Sequence, residues 1–139
     1  MRHTAVDYNV PAGTEVVAPA DGHVLRVVRD TSYGGWGGCV FVQLLNPYRG
    51  AGYYLMGHLA HAPLPNPGDV LTRGSPVGLI GEPHENGVWF PHLHLQCFDQ
   101  TIYDRYAPIL DDMDGYGPND ELENPHMPDP TDLGSGLHR

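Results

Sequence analysis

What most constrains the fold of this chain is its punctuation. Short apolar and β-branched runs are cut at brief intervals by turns drawn from 18 glycines and 14 prolines in 139 residues. The runs are Glu15 to Ala18, His23 to Val28, Cys39 to Leu45, Tyr53 to His58, Pro76 to Ile80 and His92 to Phe98. Runs this short, bounded by turn residues, read as strands rather than helices and favour antiparallel pairing. The expectation is an all-β fold.

Two turn-bearing segments, Val17-Ala18-Pro19-Ala20-Asp21-Gly22 and Pro67-Gly68-Asp69-Val70-Leu71-Thr72-Arg73-Gly74, resemble the turns of barrel-sandwich domains that carry biotin or lipoyl groups. Those carriers need a modifiable lysine, and this chain has none. The architecture is retained as an expectation and the carrier function is not. After Phe98 the pattern changes. Tyr103, Tyr106, Ile109 and Leu110 fall at i, i+3, i+6 and i+7, which predicts a short helix from Tyr103 to Met113 covering one end of the sheet. From Asp114 onward Gly, Pro, Asn and acidic residues dominate, so one domain is expected over 1–113 and an irregular acidic tail over 114–139.

Charge is unevenly placed. Residues 99–139 hold ten acidic residues against Arg105 and Arg139, which accounts for most of the net charge of −10. With no lysine and no basic stripe, nucleic acid is not an expected partner. The first residues lack an apolar core of signal-peptide length and no later run is long enough to span a bilayer, so the chain is expected to be cytoplasmic as synthesised. Cys39 and Cys97 both lie in apolar strand-like runs and are expected to be reduced core thiols.

Chemistry concentrates in the histidines. In Pro91-His92-Leu93-His94-Leu95-Gln96 a strand would put both imidazoles on one side and Leu93 and Leu95 in the core. The two histidines would sit about 7 Å apart along the strand, so either both ligate a metal, or one ligates while its neighbour faces a substrate. Upstream, His3 and Asp7 form an H-x-x-x-D element, and Met56-Gly57-His58-Leu59 ends an apolar run with another imidazole. In a straight strand His3 and Asp7 would lie about 13 Å apart, so the chain must bend between them if they share an ion. Neutral imidazoles with one carboxylate would leave that ion net positive, as an open catalytic zinc site requires.

Taken in order, His3-x-x-x-Asp7, Gly13 to Gly22, Tyr54-Leu55-Met56-Gly57-His58-Leu59, Gly74 to Gly81 and Pro91-His92-Leu93-His94-Leu95 resemble the lysostaphin/LytM-type zinc metallopeptidases. The resemblance covers most of residues 3–98. It implies a barrel-sandwich-like, duplicated hybrid core, Zn2+ held by His3, Asp7 and His94, and His92 and His58 acting on the substrate. It further implies an endopeptidase that hydrolyses peptidoglycan cross-bridges or stem peptides. The family usually has glycine midway in H-x-G-x-D, where this chain has Ala5, and Asn86-Gly87-Val88-Trp89-Phe90 places an aromatic pair before Pro91 that would narrow the cleft. A phage-encoded lysin or virion component, released by lysis, reconciles cell-wall chemistry with the absent export signal.

Two rival readings share parts of this pattern. A non-hydrolytic interaction or virion structural module would keep the fold without turnover. A cupin-like jelly roll also uses His-x-His, but adds a glutamate that Leu95-Gln96-Cys97-Phe98-Asp99 does not supply. Of the remaining histidines, His23, His126 and His138 read as surface residues, whereas His61 and His84 fall in loops flanking the proposed site. Tyr53 and Tyr54 are expected to pack on their strand with a wet tip, or to send one hydroxyl toward the cleft. The tail is expected to supply no ligand. Deleting residues 115–139 should therefore leave zinc uptake and cooperative thermal unfolding intact, and loss of either would place the acidic segment inside the fold.

Overall fold

The computed structural model describes residues 6–31, 33, 35–85 and 90–106. Their strands are β1 (Val6–Tyr8), β2 (Glu15–Val17), β3 (Gly22–Arg29), β4 (Gly38–Tyr48), β5 (Ala51–Leu59), β6 (Val70–Leu71), β7 (Pro76–Leu79) and β8 (Leu93–Phe98), followed by the helix α1 (Gln100–Tyr106). A six-stranded sheet runs β1-β8-β5-β4-β3-β6, and β2 pairs with β7 in a second, two-stranded sheet. Both sheets are antiparallel throughout.

The expected alternation of side chains explains why the central strands are buried almost continuously. On one face Val40, Val42, Tyr54, Met56, Leu93 and Leu95 meet Val16 of β2 and Val77 of β7, forming the main core between the two sheets. On the other face Cys39, Phe41, Tyr53, Leu55 and Phe98 form a smaller core with Trp36. Each central strand thus buries successive residues on opposite sides. The β4–β5 hairpin turns through Arg49 (φ 49°) and Gly50 (φ 84°), two consecutive left-handed residues, as a type I′ turn requires.

The six expected strands are all present. The sequence pattern did not reveal β1 and β6, the two edges of the larger sheet, because three and two residues are too few to display a period of two. The helix begins earlier than the apolar spacing predicted. The Tyr103 N–H donates to the Asp99 carbonyl (3.0 Å), so the first helical turn follows directly from β8. Tyr103 then stacks on Tyr53 with ring centroids 4.3 Å apart, which seals the smaller core. The expected extension of this helix to Met113 and the acidic tail lie outside the described residues.

Leu93 and Leu95 point into the core as expected, and both cysteines are free and fully buried. Burial pushes the Cys39 thiol far above its usual range, with the Asp30 carboxylate adding to the effect, so it stays protonated and unreactive. Neither tyrosine reaches the histidines through its hydroxyl: the Tyr53 OH donates to Gln100 Oε1 (2.6 Å) and the Tyr54 OH to the Ala20 carbonyl (3.4 Å). Leu95, fully buried in β8, tests the packing directly. Leu95→Ala should cost about 2–5 kcal/mol in denaturant-induced unfolding, and a negligible change would mean that the sheet does not close over this position.

Candidate functional site

The site is assembled by register. In the β1–β8 pairing Asp7 stands directly opposite His94, and in the β8–β5 pairing His94 stands opposite Gly57. Directly opposed residues in an antiparallel sheet point to the same face. The Asp7 carboxylate and the His94 ring therefore meet across the strands, with Oδ1 3.2 Å from Nδ1. Two atoms bonded to one tetrahedral zinc at its usual bond length stand about 3.3 Å apart, so this pair has the spacing of two ligands of one ion.

His92 lies just before β8 and is buried, with its Nε2 3.9 Å from the same Asp7 oxygen. Its Nδ1 is 2.7 Å from the Phe90 carbonyl. A carbonyl oxygen can only accept, so Nδ1 carries a ring proton, and in the neutral imidazole the lone pair is then on Nε2, toward Asp7. That nitrogen can accept a proton. Its longer distance puts it beside the Asp7–His94 pair rather than within ligand spacing of it.

His58 reaches the same face by breaking the rule that governs its strand. Between the pairs Val40↔Met56 and Gly38↔Leu59, β5 advances three residues while β4 advances two, which is a β-bulge. The extra residue lets Leu59 return to the main core with Met56, and His58, in the left-handed region at φ 65°, turns to the opposite side. Its N–H donates to the Trp36 carbonyl (2.7 Å) and its carbonyl accepts from the Gly81 N–H (3.1 Å), bonds that hold a backbone conformation unfavourable for a side chain of this size. The ring then lies 4.5 Å from that of His92 and 5.9 Å from that of His94, centroid to centroid.

Trp36 organises these rings from below. It stacks on His58 at 5.7 Å and meets His94 edge-on at 4.8 Å, and the Trp36 backbone N–H donates to Asp30 Oδ2 (3.0 Å). The indole fits because residue 57 is glycine: a Cβ there would come within 2.6 Å of Trp36 Cε3. The indole nitrogen is itself buried without a hydrogen-bond partner among the described residues, so there the ring contributes shape rather than polarity.

Of the residues expected from sequence, Asp7, His58, His92 and His94 come together, while His3 and Ala5 lie outside the described residues. Among the described residues, no group of three or more His, Cys, Asp or Glu side chains is arranged to hold an ion, so a complete ligand set needs a donor from elsewhere. His61 is tied to the opposite loop wall: its carbonyl accepts from Arg29 Nε (2.8 Å) and its N–H donates to Glu85 Oε2 (3.3 Å). His23 is exposed on β3. Phe90 stands beside His92 with ring centroids 5.0 Å apart and remains 62% exposed, so it forms one wall of the opening, whereas Trp89 lies outside the described residues. Sequence reasoning missed Trp36 and Gly57, because nothing in a glycine-rich loop announces that its one indole folds back under a distant strand.

The family model described as Peptidase family M23 matches residues 1–104. No curated protein matches the chain significantly. Among solved structures, one from Pseudomonas aeruginosa described as a peptidase M23 is 28% identical, with a TM-score of 0.54 over 68% of this chain and 37% of that one. A zinc-containing peptidase from Vibrio cholerae is 27% identical, with a TM-score of 0.54 over 68% of this chain and 26% of that one. The catalytic domain of the antimicrobial peptidase lysostaphin from Staphylococcus simulans shares the fold at 21% identity, with a TM-score of 0.61 over 96% of this chain and 80% of that domain. The chain thus spans well under half the length of the first two proteins.

The role of Gly57 gives a direct test of the platform. Gly57→Ala should displace the indole, lower stability by about 1–3 kcal/mol and shift the Trp36 side-chain resonance. Unchanged stability together with an unchanged indole signal would show that Trp36 does not rest on Gly57.

Proposed function

Because the chain belongs to peptidase family M23, we propose that it is a zinc-dependent endopeptidase that hydrolyses peptide bonds of peptidoglycan, in its cross-bridges or stem peptides. The observation that carries this reading is the Asp7 Oδ1–His94 Nδ1 spacing of 3.2 Å, with two further imidazoles on the same face. A zinc-containing peptidase among the similar structures supports the metal, and the resemblance of the sequence motifs to the lysostaphin/LytM-type enzymes supports the substrate class.

Asp7 and His94 would hold the ion, with His3 completing the set. Zinc, when bound there, supplies Lewis acidity toward a carbonyl and acidifies water. The His92 Nε2 lone pair, fixed by the Nδ1–H bond to Phe90, takes a proton from the attacking water and later gives it to the departing amine. His58, packed against His92, donates toward the oxygen that becomes negative as the carbonyl is attacked. Phe90 lines the approach for the peptide. Release by lysis, as a phage-encoded lysin or virion component, would give such an enzyme access to the wall.

The ligand and proton-transfer roles separate by mutation. The purified protein should hold about one zinc per chain. His94→Ala should lose both the metal and turnover of purified peptidoglycan or glycine-rich peptides, whereas His58→Ala should keep the metal and lose about a hundredfold or more in turnover. Equal metal loss in the two variants would make His58 a ligand, and full metal with no turnover in the unmutated protein would make it a non-hydrolytic module.

A further inference from the structure

Gln96 stands two residues beyond His94 on β8, on the same face, and is almost wholly buried. Its Oε1 lies 3.0 Å from His94 Nε2, the ring nitrogen turned away from Asp7. We infer that Gln96 is a positioning residue that fixes the protonation pattern of His94 and so makes its Nδ1 available as a zinc donor. The inference rests on the zinc reading above.

An amide oxygen only accepts, so the Gln96 contact exists only while Nε2 carries the ring proton. A neutral imidazole has one such proton, and placing it on Nε2 leaves the lone pair on Nδ1, the atom 3.2 Å from Asp7. A competing acceptor is also present in the site. The Asp7 carboxylate is a charged acceptor and would draw the proton onto Nδ1, where it would block coordination. Gln96 opposes that draw from the other side of the ring, and its burial beside Leu55, its partner on β5, excludes water that would otherwise take its place. Trp36 holds the ring plane edge-on, so the amide and the indole together leave His94 one orientation and one tautomer. Because the acceptor is a neutral amide, it orients the imidazole without adding a second negative charge to the donor set.

The test uses the full chain with zinc alone as the probe. Equilibrium chelator competition should show Gln96→Leu weakening zinc affinity by about 10- to 100-fold, while Gln96→Glu, which restores an acceptor oxygen, stays within about threefold of the unmutated protein. In parallel, long-range proton–nitrogen spectra of the metal-free protein, at about pH 8.5 where imidazoles are ordinarily neutral, should show His94 protonated on Nε2, and on Nδ1 in Gln96→Leu. Retained affinity and an unchanged tautomer in Gln96→Leu would overturn the inference while leaving the zinc reading in place. Should Gln96→Leu fail to fold, finding Nδ1 protonated in the unmutated metal-free protein would overturn it equally. Unmutated protein that takes up no zinc would instead remove the zinc reading, and this inference with it.

Discussion

The antiparallel register across β1, β8 and β5 is the constraint on which the site depends. It places Asp7, His94 and Gly57 in one row, each directly opposite the next. A carboxylate, an imidazole and an absent side chain are thereby lined up on one face, and the space left by Gly57 admits Trp36 beneath the rings. A slip of one residue in either pairing would turn His94 into the main core and bring Leu93 or Leu95 to the site. The same leucines resist that slip, since both are buried against the second sheet. Core packing therefore fixes the site's geometry without contributing a polar atom to it.

The bulge in β5 solves a conflict between these two demands. Met56 and Leu59 are both needed in the main core, yet a regular strand would send residues three apart to opposite faces. One extra residue resolves the mismatch, and that residue is His58. The left-handed backbone needed there would be easiest for glycine, but glycine would carry no imidazole. The unfavourable conformation is held by backbone bonds to Trp36 and Gly81, and the ring is stacked on the indole. Strain, packing and the position of a reactive group coincide in one residue.

This division explains what was legible in the sequence. The central strands could be read because their apolar runs and turn residues agree, and the strand period put His92 and His94 on one side, whereas the place of His58 beside them was implied by the resemblance alone. The edge strands Val6–Tyr8 and Val70–Leu71 could not be read, since pairing rather than pattern creates them. Trp36 was invisible for a different reason. Its value lies in contact with Gly57 and His58 across more than twenty residues of chain, and no local periodicity encodes such a contact. Gln96 could have been found, because it shares the i, i+2 face of His94, but an amide attracts no notice until a ring nitrogen is seen against it.

The two histidines of His-x-His show how one residue type is given two characters by its acceptors. His92, before the strand begins, can bend Nδ1 back to the Phe90 carbonyl, which frees Nε2. His94, inside the strand, has its neighbouring carbonyls engaged in the ladder, so its acceptor is the side chain of Gln96 and the freed nitrogen is Nδ1. Opposite tautomers would follow from positions two residues apart, and His92 Nε2 and His94 Nδ1 face the same Asp7 oxygen from different distances, 3.9 Å and 3.2 Å. The nearer nitrogen has the spacing of a ligand and the farther has room for a water between itself and the carboxylate. In the proposed zinc reading a single carboxylate would thus separate a nitrogen that binds a cation from one that moves a proton, and the separation would be set by where the strand starts.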